Sequence, residues 1–498
     1  MGLIVAGSVV IILTTVIVYL IRYFALRHQL KGIPQPRSYP LIGHGLIMKN
    51  DPLGFIAQVM GMAKIFDSPR MVLFWIGPKP ALMLYSAELL ERILASSRHL
   101  SKGFTYVMLE PWLGVSLLTS QEERWRPMRK LLTPTFHYDI LKDFVPIFNE
   151  HARVLVNKLA KLPRGEPVEI LSKVTLCTLD VICETSMGKC VNAQTDEDCD
   201  YVKAVHEINK LILSRACAPF LWSDLTYKLS KEGKSHQRCL NILHSYTKKV
   251  IEERKVELEE NDWRLDGRRA FLDLLLEMSH NGQLEFSEIQ PEVDTFMFEG
   301  HDTTSTGISW ALHLIGNHPE IQRKIQAEID EVLGNRSEVT PADISRFTYL
   351  ECCIKESLRL YPSVPIITRE LNHDEVINGV TIPKGTPILL NQYLTHRDPN
   401  QWEDPEKYIP ERFSQDNNIS RHSYSYVPFS AGSRNCIGKR FAIMEEKVIL
   451  AWIFRNFTIT SCEKEYESRP VLELILRPSE GINITLERRR LLSVDYEN

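Results

Sequence analysis

The sequence predicts a mainly α-helical chain with a small β-sheet region, standing behind a single N-terminal transmembrane helix. Three observations predict it. Residues 2–21, GLIVAGSVVIILTTVIVYLI, carry no charge. From about residue 85 to 360, apolar residues recur at three- and four-residue steps, as in LKDFVPIFNEHARVLVNKLAKL and RKIQAEIDEVLG. From about 365 to 395 the texture changes to short β-branched runs. HDEVINGVTIPKGTPILL is broken by Asn-Gly and Lys-Gly, which reads as a small sheet with tight turns.

Twenty residues of helix rise about 30 Å, the thickness of a bilayer core. A cleaved signal peptide would place a basic region before the apolar run and a small-residue cleavage site after it. Here no lysine or arginine precedes the run, while Arg22, Arg27, Lys31 and Arg37 follow it. The positive-inside rule then keeps the C-terminal side in the cytosol. An uncleaved anchor is expected over 2–21. Asn335, Asn418, Asn456 and Asn483 each open a glycosylation sequon, and on a cytosolic body all four are expected bare.

Residues 31–45, KGIPQPRSYPLIGHG, hold three closely spaced prolines, which favour a stiff extended linker over a helix. A basic, proline-rich hinge is expected over 22–45, one large domain over 46–491 and a short tail over 492–498. Segment 255–270 is highly charged and reads as an exposed connection. The 498 residues, 44% hydrophobic and 24% charged, suffice for a large core. A net charge of -4 lacks the basic footprint of nucleic-acid binding. Ten cysteines form no CxxC pair, which argues against zinc-ribbon and thioredoxin-type sites and suits a reducing compartment.

Chemistry concentrates in four stretches. The first is FSAGSRNCIG, residues 429–438. Gly432 and Gly438 are free to take backbone angles closed to other residues and to let a bulky group approach. Arg434 is a permanent cation. The loop is suited to present Cys436 as a thiolate, and a thiolate is a known proximal ligand of haem iron. Phe429, Gly432, Arg434, Cys436 and Gly438 match F-x-x-G-x-R-x-C-x-G. That pattern resembles, at every fixed position, the haem-binding signature of the cytochrome P-450 family.

The second stretch is KESLRLYP, residues 355–362. Glu356 and Arg359 share a helix face. Taken alone they read as a surface ion pair. The spacing also resembles the family's E-x-x-R pair, with Arg412 in PERF (410–413) as its third member. The resemblance implies a structural network that holds the cysteine loop.

The third is EVDTFMFEGHDTTSTGISW, residues 292–310. Gly300, Thr303, Thr304, Ser305, Thr306 and Gly307 are weak helix formers packed together. Thr303 is spaced to bond back to the Glu299 carbonyl. Either a loosely packed buried helix or room for a ligand would explain them. The stretch resembles the family's oxygen-binding motif A-G-x-D-T-T, which implies that Asp302 and Thr303 deliver protons. Glu299 stands where that motif has alanine. The same departure marks the fatty-acid omega-hydroxylase branch, where this glutamate forms an ester with a haem methyl. Burial disfavours a free carboxylate, so Glu299 is expected to be ester-linked, or else protonated or hydrogen-bonded.

The fourth runs from residue 110 to 137. Trp125 and Arg129, four apart, resemble the family's W-x-x-x-R pair for the haem propionates, and Arg369 and Arg434 complete the implied set. Pro127 lies between them and calls for a place in the first helical turn.

The resemblance runs from the anchor to about residue 490. It implies the cytochrome P-450 fold, a thiolate-ligated haem b, and a single-pass protein of the endoplasmic reticulum membrane facing the cytosol. The implied activity is hydroxylation of a fatty acid or related lipid at or near its terminal carbon. Leu113, Leu117, Leu118, Phe296, Val364 and Ile366 are candidate channel residues, with ordinary core as their other reading. Sterols, retinoids and xenobiotics are alternative substrates. An isomerase or dehydratase of lipid peroxides would not need the Asp302–Thr303 relay, and a non-catalytic haem or lipid binder would leave it idle. No G-x-G-x-x-G follows a strand, and the chain is too short to hold a flavin domain as well. Electrons from NADPH are therefore expected through a separate flavoprotein reductase, with cytochrome b5 as a further partner. Lys130, Lys439 and Arg440 are candidates for the docking face, their other reading being solvated surface charge.

Overall fold

The charge-free N-terminal run folds as helix α1 (Gly2–Gln29). The structure, a computed structural model, describes residues 2–49, 51–195, 199–263, 269–415, 417 and 419–489. Along α1 the side chains of Ile11, Leu13, Ile17 and Ile21 are exposed. Within the expected anchor, the side chains of residues 2–7, 9 and 12 lie outside the described set. Among the described residues no helix is long and apolar enough to cross a membrane.

The hinge expected over 22–45 takes a different form. Helix α1 continues through residues 22–29, and Tyr23 is buried edge-on against Trp75, ring centroids 5.6 Å apart. Leu30 and Ile33 are buried, and the Pro34 carbonyl accepts from Leu73 N–H at 2.9 Å. Proline loses a donor but keeps its carbonyl, so the segment lies pinned along the neighbouring strand. The tail expected over 492–498 lies outside the described residues.

That neighbouring strand, β1 (Met71–Ile76), opens a four-stranded sheet with β2 (Lys79–Leu84), β3 (Ile366–Glu370) and β4 (Pro387–Asn391), in the order β1-β2-β4-β3. Strands β2 and β4 run parallel, with Leu82 opposite Ile388, and the other pairings are antiparallel. The small sheet expected near 365–395 is therefore present. So is its tight turn, where Asn378 and Gly379, both at positive φ, close the hairpin of Glu375–Ile377 and Val380–Ile382. Strands β1 and β2 escaped the sequence reading. Five successive residues of β1 are buried, so no polar alternation marks it. A second sheet, of Val168–Glu169, Asn483–Arg488 and Phe457–Ser461, was also not foreseen.

The helical body contains α2 (Glu122–Leu132), α3 (Val145–Ala160), α4 (Ile170–Ser186), α5 (Asp200–Cys217), α6 (Lys231–Glu260), α7 (Ile289–Asn317), α8 (Thr348–Leu360) and α9 (Lys439–Asn456). Helix α7 is buried on nearly every side, as a central helix must be. Its glycines allow that centrality. A Cβ on Gly300 would come within 2.5 Å of Ile182 on α4, and one on Gly307 within 2.8 Å of Glu446 on α9. The weak helix formers therefore serve close approach within a continuous helix. The hydroxyls of Thr303, Thr304 and Thr306 donate to the carbonyls of Glu299, Gly300 and Asp302 at 2.7, 3.0 and 2.8 Å.

Two smaller expectations change. Pro127 falls in the second turn of α2, which starts at Glu122, not in the first. Its missing N–H leaves the Glu123 carbonyl without the usual helical donor. The charged segment 255–270 begins as the last turns of α6 rather than as a loop, and residues 264–268 lie outside the described set.

Candidate active site

The cysteine loop is folded against itself ahead of α9. Cys436 N–H donates to the Phe429 carbonyl at 2.9 Å, and Asn435 N–H to the Gly432 carbonyl at 3.2 Å. Gly432 has φ +70°, and a Cβ there would sit 1.9 Å from the Leu94 carbonyl oxygen. Gly438 has φ −85°, and the nearest neighbour to a Cβ there is Cys436 Sγ at 4.0 Å. Of the two glycines only Gly432 takes a positive φ, and the room it makes is taken by the backbone at Leu94. Gly432→Ala is expected to destabilise the fold by about 3 kcal/mol or more, while Gly438→Ala leaves the denaturation midpoint nearly unchanged. Chemical denaturation of both variants checks the contrast.

Burial pushes the Cys436 thiol up to about 11, and Glu299 adds to the rise. The Gly438 N–H, Arg129 and Lys439 pull the other way. A bare thiolate is thus disfavoured, and a metal cation would have to displace the proton. Among the described residues no group of three His, Cys, Asp or Glu side chains could hold a metal ion. A metal at Cys436 would therefore need other ligands, as an iron chelated by a porphyrin has.

Cys436 opens onto a cavity of about 230 Å³. Trp125, Phe296, Phe429 and Phe441 supply flat apolar walls, and Lys102, Arg129, Arg369 and Arg434 supply cations. The acids in the same lining are Glu299 and Glu446, which burial pushes up to about 7 and about 8. Three arginines and Lys102 face two acids that burial pushes toward their neutral forms. That surplus suits two carboxylates from a bound group.

The cations divide by their present partners. Arg434 donates to the carbonyls of Leu100 (2.6 Å), Ser120 (2.8 Å) and Leu117 (3.4 Å), and its guanidinium lies 4.8 Å from the Trp125 ring centroid. Arg129 donates to Asn435 O at 2.7 Å and Asn435 Oδ1 at 2.8 Å. Both clamp the cysteine loop. Arg369 donates only to the neighbouring Thr368 carbonyl, at 3.0 Å, among its described bonds. The Lys102 ammonium lies 4.0 Å from the Tyr106 ring centroid. Burial, then Arg369 and Arg434, hold Lys102 well below the usual lysine range, with Glu299 opposing. Lys102 was missed by sequence reasoning, because no spacing motif surrounds it. The donor set fits haem: Cys436 would hold the iron, and Arg369 and Lys102, backed by Arg434 and Arg129, would face the propionates.

A second cavity, of about 320 Å³, adjoins the first. Its wall is mainly apolar, with Phe55, Phe74, Met83, Trp222, Leu389 and Ile475 among the contributors. Tyr106, Leu118, Glu299, Thr303 and Val364 line both cavities and mark their junction. Glu299 and Thr303 share this face because they are four residues apart on α7. Thr303 spends its proton on the Glu299 carbonyl, which leaves its oxygen lone pairs free to accept.

Asp302 lines neither cavity. It is paired with Arg477 and accepts from Asn209 Nδ2 at 3.2 Å. Burial alone would raise its carboxyl, but Arg477, His301 and His206 outweigh burial and hold it below the ordinary value. The structure thus places Thr303 at the junction and Asp302 on the flank of α7. Of the candidate channel residues, Leu118 and Val364 line both cavities, Leu117 and Phe296 the one at Cys436, and Ile366 the outer one. Leu113 lines neither and is core.

Glu356 and Arg359 are fully buried and form a two-point bridge, both contacts at 2.8 Å. Arg412 Nε reaches Glu356 Oε1 at 3.2 Å, and Ile409 N–H donates to the same oxygen at 3.0 Å. Arg359 also donates to the carbonyls of His396, Pro405 and Lys407. The surface-pair reading is therefore wrong for this site. His396, another residue the sequence did not mark, carries the network toward the loop. Burial, then Arg359 and Arg397, push it down to about 3, and its neutral Nε2 accepts from Val427 N–H at 2.9 Å. Val427 stands two residues before Phe429.

Lys130, Lys439 and Arg440 are all exposed. The family model described as "Cytochrome P450" matches residues 33–486. The chain is similar to "Cytochrome P450 4V2" of Mus musculus, with 46% identity covering 97% of this chain and 94% of that protein. It is 47% identical to "Cytochrome P450 4V2" of Homo sapiens, covering 93% and 90%. It is 40% identical to "Cytochrome P450 4c3" of Drosophila melanogaster, covering 96% and 94%.

Proposed function

The chain belongs to the cytochrome P450 family, and on that premise we propose that it hydroxylates fatty acids or related lipids at or near the terminal carbon. When bound, haem supplies oxygen activation, placing one oxygen atom in a C–H bond and releasing the other as water. The chain's own residues would do the rest. Cys436 holds the iron. Arg369 and Lys102, backed by Arg434 and Arg129, would hold the propionates. Thr303 offers its oxygen at the junction to relay a proton, and Asp302, held as a carboxylate by Arg477 on the flank of α7, would join that relay only on leaving Arg477.

Glu299 is the observation that carries the substrate reading. A carboxyl that desolvation pushes up to about 7 stands where the Cys436 cavity meets a mainly apolar channel. Ester linkage to a haem methyl removes its charge and leaves the cofactor unable to shift. A fixed cofactor above such a channel admits a chain end-on, which selects the terminal methyl over weaker internal C–H bonds. Glu299→Ala is expected to make haem extractable into acidified organic solvent and to lower the terminal share of product several-fold. Haem that stays attached in the variant, with unchanged product positions, would remove Glu299 from both roles.

Helix α1 is the proposed anchor, in the endoplasmic reticulum membrane with the body in the cytosol. Its row of exposed apolar side chains supports that placement. An NADPH-dependent flavoprotein reductase is the proposed electron donor, with cytochrome b5 as a further partner. Lys130, Lys439 and Arg440 are exposed cations available for docking.

A further inference from the structure

The strands Pro470–Leu472 and Leu476–Pro478 form a hairpin whose turn, residues 473–475, lines the outer channel. Its second strand is tied to the helical body. Leu476 N–H donates to the Ser363 carbonyl, and Trp310 Nε1 on α7 donates to the Leu476 carbonyl, both at 2.8 Å. The next residue, Arg477, pairs with Asp302 on the flank of α7. One hairpin thus meets the channel through its turn and the relay carboxyl through its second strand.

Arg477 stands between two carboxyls, and all three side chains are buried. Its Nη2 donates to Asp302. Its Nε is 3.7 Å from Glu473 Oε2, beyond hydrogen-bond reach. Arg477 Nε and Nη1 and Glu473 Oε2 have no hydrogen-bond partner. Unmet donors beside an unmet acceptor are costly on both sides, and a small approach would relieve both. Nε and Nη2 form one edge of a guanidinium. Arg359 gives that edge to the two oxygens of Glu356, each at 2.8 Å. A Glu473 that took the Arg477 edge in the same way would take Nη2 from Asp302. The two carboxyls compete for one cation.

The surrounding groups allow the exchange. Burial raises the Glu473 carboxyl, with Arg477 and Lys210 opposing and Asp302 reinforcing the rise. Burial would raise Asp302 as well, but Arg477, then His301 and His206, outweigh it. Neither histidine can replace the arginine. Burial, then Arg477, push His206 down to about 4, and burial lowers His301. Tyr201 is kept neutral by its burial. Without Arg477, Asp302 is a buried carboxyl with no cation and favours its acid form.

We propose that Arg477 and Glu473 are positioning residues of the proton relay: substrate filling the channel presses on the 473–475 turn, Arg477 passes from Asp302 to Glu473, and Asp302 becomes an acid beside Thr303. The O–H bond lost at Glu473 is balanced by the one gained at Asp302, so the buried cluster keeps its net charge. The inference rests on the lipid reading above and adds the event that gives Asp302 its proton. The test is an infrared difference spectrum of the full-length, haem-loaded protein on binding hexadecanoic acid that carries heavy carbon at its carboxyl. The haem absorbance change reports binding separately. A new protonated-carboxyl band is expected on binding, and Asp302→Asn removes it. Glu473→Gln still binds the acid but shows no new band. In turnover its share of NADPH electrons recovered in product falls several-fold, the rest leaving as hydrogen peroxide, which takes the same two electrons. Glu473→Asp restores part of the band and part of that share. A native protein that binds the acid without the band would overturn the proposal, whatever the variants do. So would a band and a product share that are unchanged in Glu473→Gln. If no fatty chain binds to protein with an intact thiolate–haem spectrum, the lipid reading itself fails and this inference falls with it.

Discussion

Glu356→Ala is expected to destabilise the fold by about 3–5 kcal/mol and to yield protein that does not retain haem. The substitution removes the one carboxylate between Arg359 and Arg412, both buried. Two guanidiniums would remain in a space that water does not reach. Ile409 N–H would lose its acceptor as well. The damage would travel by a short route, because Arg359 holds the His396 carbonyl and His396 holds Val427 N–H ahead of the cysteine loop. Glu356→Gln keeps the volume but not the charge, and should fall between alanine and the native residue. Haem content per chain after purification, with a denaturation curve for each variant, reads both effects. A stable Glu356→Ala protein with full haem would show that the network does not support the loop.

Cys436→Ala is expected to reduce NADPH-dependent oxidation to the background of free haem and to remove the thiolate signature from the carbon monoxide spectrum. The fold should survive. The loop is held by Gly432 against Leu94 and by Arg434 and Arg129, none of which needs the sulfur. Loss of the sulfur removes the ligand and leaves the surrounding Lys102, Arg129, Arg369 and Arg434 in place. Circular dichroism close to the native protein's, together with the lost spectrum, separates loss of the iron ligand from unfolding. A retained thiolate spectrum would mean that another cysteine binds the iron.

Much of the site was legible because its residues sit close together in sequence. Glu356 and Arg359 are three apart, Thr303 and Glu299 four, and the cysteine loop is ten residues long. Each spacing maps directly onto a helix turn or a tight loop. Asp302 shows the limit of that legibility. It stands beside Thr303 in sequence, but adjacent residues on a helix point about 100° apart, and a partner on the distant hairpin, Arg477, sets its environment. Lys102, His396 and Glu473 were invisible for a related reason. His396 owes its place to partners 31 and 37 residues away and the others theirs to a cavity wall, and no local pattern encodes either. The same holds for β1, where burial on both faces erases the alternation that announces a strand.

The most direct measurement is product position. The native protein, reconstituted with reductase and NADPH, would be given saturated and polyunsaturated fatty acids of graded length, and the products identified by mass spectrometry. Predominantly terminal alcohol is the expected result, with a length optimum set by the channel. Internal hydroxylation, or no fatty-acid product from protein with an intact thiolate–haem spectrum, would contradict terminal lipid hydroxylation and point to sterols or foreign compounds as substrates.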